Sequence, residues 1–133
     1  MPKEVIEVVA AVIERDGAYL ITQRNAKAVL PLLWEFPGGR VEPHETKVAA
    51  LIREVSGRIG LTVLVGAAMG DNLHRYTSYD VHMTLYSCSL PAGCHPTALS
   101  VQQVRWVPTD KLGDYEFPPA DQHSMSRLLN LSC

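Results

Sequence analysis

Three cysteines in 133 residues, Cys88, Cys94 and Cys133, are an odd number and too few for a disulfide framework. They read as reduced thiols. With nothing resembling a signal peptide in Met1-Pro2-Lys3-Glu4, they point to a cytoplasmic chain. Cys88, Cys94 and His95 lack both a fourth nearby ligand and the short spacing of a zinc site, so they give zinc little support. No apolar run approaches the roughly 20 residues that a bilayer requires, and a membrane partner is not expected. Neither sign of charge dominates: 12 Lys and Arg stand against 14 Asp and Glu. Without a basic surplus, the chain has no general attraction for polymeric nucleic acid, and any hold on phosphate has to be local. Repeats, low-complexity tracts and linkers are also missing. The length suits a single domain over 1–133 that buries about two-thirds of its unfolded surface.

What is present is a series of short strand signals with two helices among them. Val5 to Ile13 is almost continuously apolar and rich in Val and Ile, as in a strand covered on both faces. Asp16-Gly17 marks a tight turn, and Ala18 to Gln23 the returning strand of a hairpin. Arg24 to Leu33 reads as a loop. Leu61 to Met69 and Tyr79 to Leu90 read as strands, the second alternating Tyr79, Val81, Met83 and Leu85 against His82, Thr84, Tyr86 and Cys88. Pro91 to Ser100 is a polar loop, Gln103 to Val107 a short strand, and Thr109 to Leu112 a brief turn. Phe117-Pro118-Pro119-Ala120-Asp121 introduces a last helix with Met125, Leu128 and Leu129 on its packing side. Strands outnumber helices, so the class is α+β or an α/β/α sandwich with a mixed sheet. His44, His74 and His82 show no ligand spacing and read as surface or packing residues, Trp34 and Trp106 as core.

Between the second strand and Leu61 lies the stretch that carries chemistry. Trp34-Glu35-Phe36-Pro37-Gly38-Gly39-Arg40 reads as a Pro-Gly-Gly turn, Val41 to Glu45 as a charged loop, and the chain then enters a helix starting near Glu45 or Thr46 and ending by Gly60. Val48, Ile52, Val55 and Ile59 recur at helical spacing and are expected to face the core. Glu54 and Arg58 share another face, with Gly57 beside them. Backbone groups, basic side chains and carboxylates are thus gathered around one hollow.

Gly39, Glu45, Arg53, Glu54, Val55, Gly60 and Leu61 fall in register with a known pattern: Gly, five residues, Glu, seven residues, Arg-Glu, an aliphatic, any residue, Glu-Glu, any residue, Gly, an aliphatic. Residues 39–61 therefore resemble the Nudix box. Arg24, the Trp-Glu-Phe-Pro-Gly-Gly lead-in, His74-Arg75-Tyr76, Arg105-Trp106-Val107 and Phe117 to Asp121 extend the resemblance to the MutT-type branch over nearly the whole chain. The resemblance implies the Nudix fold, a mixed sheet with the Nudix helix and a C-terminal helix. It also implies hydrolysis of nucleoside triphosphates, oxidised ones such as 8-oxo-dGTP included, to monophosphate and pyrophosphate with Mg2+ or Mn2+. Carried over by position, Glu45, Arg53 and Glu54 would be catalytic, and Glu54 with the Gly38 carbonyl would hold metal. Arg53 would orient the glutamates, Arg24 and Arg40 would hold phosphates, and Asp121 would bond the base edge. Asp121 is equally an N-cap for the last helix.

The Glu-Glu pair departs from that pattern, since Gly57 and Arg58 stand there. A further acid, expected shortly before the Arg-Trp-Val strand, is missing from Ser100-Val101-Gln102-Gln103. A guanidinium about 5 Å from a divalent ion costs roughly 6 kcal/mol at an effective dielectric near 20. Weak metal binding and slow hydrolysis are expected, with Glu35, Glu42 and Glu45 left nearby for a displaced single-ion site. Two readings of Arg58 stand side by side. It can bind phosphate directly, joining Arg24 and Arg40 in a metal-independent clamp, or it can pair with Glu54 on an exposed helix turn. Three functions follow: an impaired nucleoside triphosphate pyrophosphohydrolase, a nucleotide-binding or sensing domain without catalysis, or a protein-interaction module that keeps only the fold. Both a monomer and a homodimer are compatible with the sequence.

Overall fold

A computed structural model describes residues 3–119 of the chain. The last helix expected from the sequence, with Asp121, Met125, Leu128 and Leu129, lies outside the described residues. In chain order the elements are β1 (Glu4–Arg15), β2 (Ala18–Gln23), β3 (Trp34–Glu35), β4 (Gly38–Arg40), α1 (Lys47–Ile59), β5 (Leu64–Arg75), β6 (Tyr79–Ser89) and β7 (Gln103–Pro108), followed by a 3-10 turn at Thr109–Asp114.

β1 joins the two halves of the sheet. Along Glu4 to Ile13 it pairs with β6 in parallel, and β5 closes that side antiparallel to β6. On its other edge β1 meets β4 antiparallel through Val8, Val9 and Ala10, and then passes into a hairpin with β2. β2 in turn carries β7 along Ala18 to Gln23 and β3 at its far end. The hairpin turn is Asp16-Gly17 with φ of 53° and 79°. Two successive positive φ values define a type I′ turn, whose twist matches the strands it joins.

Alternation along β1 explains why its sequence is apolar on both sides. Val9, Ala11 and Ile13 pack on one face with Ala50, Leu51, Val55 and Ile59 of α1. Ala10 and Val12 pack on the other with Ile21, Phe36, Met83, Leu85 and Phe117. Each fully buried aliphatic side chain contributes about 1.5–3 kcal/mol, so this doubly covered strand is a main source of stability. The coverage stops at the N-terminal end of the strand, where Val5 is half exposed.

The helix begins and ends where its chemistry says it should. The Thr46 hydroxyl accepts from the Ala49 N–H at 3.1 Å, and Gly60 closes the helix in the left-handed conformation with its N–H on Ser56 O. Its buried face differs from the expected stripe. Leu51, Val55, Ile59 and Ala50 are buried, Ile52 is partly buried, and Val48 is 40% exposed. Ala50 thus takes the place on the core face that the expected stripe gave to Val48. Gly38 and Gly39 are also strand residues rather than the turn their composition suggests. At Gly38 a Cβ would lie 2.0 Å from Val9 O, so only glycine permits the β4–β1 pairing. The strand expected over Leu61 to Met69 instead runs Leu64–Arg75, with bulges near Ala68 that carry it past Gly70.

Candidate functional site

α1 presents Arg53, Glu54 and Arg58 toward β4 and the charged loop that precedes the helix. Arg53 donates from Nε to Glu45 Oε2 at 3.1 Å and from Nη2 to Glu45 Oε1, closing a bidentate pair. It also donates to Glu54 Oε1 at 2.8 Å and to Arg40 O at 3.0 Å. The Glu45 carboxylate accepts the Glu42 N–H at 2.9 Å as well. Hydrogen bonds from Arg53, then that backbone N–H, hold Glu45 down to about 2, and the same partners push Arg53 further up. Glu45, Arg53 and Glu54 are therefore brought together, with the loop pinned to the helix through Arg53.

Glu54 lies between two guanidinium groups. Its Oε1 meets Arg53, and its Oε2 stands 3.4 Å from Arg58 Nε. That Nε is buried and has no hydrogen-bond partner among the described residues, so the contact with Glu54 is a charge contact. The Glu54 carboxyl rests on Gly39, where a Cβ would come within 2.4 Å of it. Glycine at 39 thus serves close approach of the carboxylate.

The last turn of the helix is tied down by the loop expected to supply a further acid. Thr97 N donates to Ile59 O at 2.9 Å, Leu99 N to Arg58 O at 2.9 Å, and the Ser100 hydroxyl to Gly57 O at 3.2 Å. The two places that lack carboxylates, Gly57 and the Ser100 segment, are in contact. A Cβ at Gly57 would meet nothing within 4 Å, so a longer side chain has room there.

Beside this cluster is a cavity of about 360 Å³. Its apolar wall comes from Ile6, Val8 and Ala10 of β1, Val81 and Met83 of β6, and Phe36, with Tyr76, Tyr79 and Pro118 also lining it. Its charged wall holds Arg24, Glu35, Arg40 and Arg58, next to the backbone of Gly38 and Gly39. Three arginines that are far apart in sequence converge on one hollow. Each has a carboxylate: Arg24 Nη1 lies 3.1 Å from Glu35 Oε1, Arg40 Nη2 lies 2.9 Å from Glu4 Oε1, and Arg58 meets Glu54. Arg40 stands on the rim toward a second depression lined by Glu4, Glu7 and Glu42.

The three carboxylates expected nearby for a displaced single-ion site, Glu35, Glu42 and Glu45, have different partners. Glu35 goes to Arg24, Glu45 to Arg53, and Glu42 to the second depression. Among the described residues no group of three or more His, Cys, Asp or Glu is arranged to hold a metal ion. Asp121 lies outside the described residues, three positions beyond Pro118 at the cavity wall. Sequence reasoning passes over the roles of Glu4, Tyr76 and Tyr79, which only strand pairing brings to the site. His82, read as a surface or packing residue, is instead held between two acids, 2.7 Å from Glu7 Oε2 and 2.6 Å from Asp71 Oδ2.

A mixed sheet with a helix packed on it, a Gly-Gly strand against that helix, and an arginine-lined hollow beside them are the features of the Nudix class. The family model described as NUDIX domain matches residues 8–127, and the chain belongs to that family. Within it the chain is of the MutT type. It is 37% identical over 120 residues to the CTP pyrophosphohydrolase of Escherichia coli (strain K12), covering 89% of this chain and 87% of the relative. It is 31% identical over 131 residues to the 8-oxo-dGTP diphosphatase of Haemophilus influenzae, covering 98% and 96%. Among solved structures it superposes on the MutT protein, family Nudix hydrolase, of methicillin-resistant Staphylococcus aureus 252 with a TM-score of 0.77 and 35% identity, over 98% and 99% of the two chains.

Proposed function

We propose that this chain binds nucleoside triphosphates in the arginine-lined cavity and hydrolyses them slowly to monophosphate and pyrophosphate, because its donor set does not fit the divalent ions that Nudix hydrolases use. Those ions, when bound, neutralise phosphate oxygens and activate water. Here the one helix carboxylate in position, Glu54, has both oxygens against guanidinium groups, and Arg58 brings positive charge to the same place. Hard divalent ions need several free oxygens, so this is a poor seat for them.

The observation that carries the proposal is the convergence of Arg24, Arg40 and Arg58 on one cavity that apolar side chains also line. Guanidinium forks bind phosphate oxygens in pairs and need no metal to do so. The apolar wall, with Tyr76 and Tyr79, gives a base and sugar a surface to lie on, and Asp121 would accept from the base edge. The relatives' activities, on CTP in one case and 8-oxo-dGTP in the other, supply the substrate class.

Nucleotide titration with and without EDTA tests the binding half. Triphosphate affinity is expected to survive chelation and to fall about tenfold or more in Arg58→Ala, as removal of one charge-assisted phosphate contact would require. A large loss on chelation in the wild type sinks the metal-independent clamp. For the catalytic half, release of pyrophosphate with magnesium or manganese is expected to be slow. It should rise when Gly57→Glu and Arg58→Glu are introduced together, since position 57 has room for the side chain. Brisk turnover by the wild type would refute the impaired site.

A further inference from the structure

We infer that Glu35, on the cavity wall, and Glu54, against the wall residue Arg58, are the site's own anions: they occupy arginines that phosphate would bind, and so hold down the affinity of the site, most of all for long phosphate chains. This rests on the phosphate-binding reading above. Around the hollow, Arg24, Arg40, Arg53 and Arg58 are matched by Glu35, Glu4, Glu45 and Glu54, so an incoming phosphate meets no surplus positive charge. The pairs are not equivalent. Arg40 and Glu4 are 56% and 65% exposed, and a pair so well solvated weighs little. Arg24 with Glu35 is 25% and 14% exposed, and Arg58 with Glu54 is 27% and 19%. Partial shielding from water raises the effect of these two carboxylates on any anion brought beside them.

A phosphate that takes a guanidinium from one of these acids exchanges one anion for another, and part of the gain is lost. Each carboxylate also repels the ligand in proportion to the ligand's charge. Glutamine keeps the acceptor oxygen and nearly the same shape but removes that charge. Glu35→Gln and Glu54→Gln are therefore expected to tighten binding, most for a triphosphate, less for a monophosphate and not at all for a nucleoside. A carboxylate that merely held its arginine in place would give the opposite sign.

The test is titration of wild type, Glu35→Gln and Glu54→Gln with CTP, CDP, CMP and cytidine in EDTA, at low and high salt. Thermal melts of each protein establish that it is folded. Each substitution is expected to tighten CTP by about two- to fivefold at low salt, the range set by the usual worth of such ion pairs. The gain should shrink from CTP to CMP, vanish for cytidine, and diminish as salt screens it. Unchanged or weaker CTP binding in a folded variant, with the wild type binding CTP, overturns the inference for that carboxylate and leaves the phosphate reading standing. No binding of any nucleotide by wild type and variants alike brings down the phosphate reading, and the inference with it.

Discussion

Gly38 and Gly39 are neighbours with different reasons for being glycine, and the difference is measurable. A Cβ at Gly38 would strike the backbone of β1, at Val9 O and Ala10 Cα, inside a paired region of the sheet. The nearest atoms to a Cβ at Gly39 are those at the outer end of the Glu54 side chain, its carboxyl and Cγ, which is flexible. Gly38→Ala is therefore expected to cost about 2–3 kcal/mol, as overpacking against rigid structure does. Gly39→Ala should cost less than about 1 kcal/mol while moving Glu54 off Arg58. Urea unfolding of the two variants decides it, and equal losses would contradict the geometry. The place of Gly39 in the box, and of Gly38 in the lead-in to it, is legible in the sequence. Their reason is not, because the atoms that exclude a side chain belong to β1 and α1. The partners of Arg24 and Arg40 are hidden for the same reason. Glu35 reaches Arg24 only because β3 pairs with β2, and Glu4 meets Arg40 only because β4 lies against β1.

At the scale of elements, α1 shows what local signals reveal and where they stop. Both of its ends are legible, since a Thr46 hydroxyl and a left-handed Gly60 act within one turn of where they stand. Its orientation is only half legible. A helical stripe through Val48, Ile52, Val55 and Ile59 and the observed face through Leu51, Val55 and Ile59 differ by part of a turn, and the sheet chooses between them. Leu51→Ala is expected to cost about 2–5 kcal/mol, the usual penalty for emptying a fully buried leucine site. Val48→Ala should fall within about 0.5 kcal/mol of wild type, as surface changes do. Chemical denaturation of both variants measures the contrast, and comparable losses would put the helix on the wrong face. The sheet tells a similar story. The β1–β2 hairpin is legible from Asp16-Gly17, whereas β3 and β4 are too short to carry a periodic signal. The parallel pairing of β1 with β6 leaves no local signal either, since it joins segments far apart in the chain.

At the scale of the whole molecule, three strands are cross-linked by charge at His82. Glu7 from β1 and Asp71 from β5 each take one nitrogen of its ring. The hydrogen bond to Asp71, then that to Glu7, raises the His82 pKa above its usual 6.5. A raised folded-state value means that the protonated ring stabilises the fold fully below about 6.5 and that the contribution fades as pH climbs through the folded value. Wild type is thus expected to exceed His82→Asn in melting temperature most clearly near pH 6, and the gap should close toward pH 9. A constant gap over that range would mean that the ring is not charged in the fold. Fold class and family are legible at this scale, because the box and its flanking motifs span most of the chain. Which charges neutralise one another across the sheet is not.

The cords from Thr97, Leu99 and Ser100 to the closing carbonyls of the helix have a bearing on how this protein can be altered. The place of Arg58 is partly encoded in a surface loop much later in the chain. Lengthening, trimming or grafting that loop would act on the backbone that carries the Arg58 guanidinium. Exchange of that segment among relatives would therefore carry a piece of the pocket with it, and a comparison of helix residues alone would attribute the result to the wrong part of the molecule.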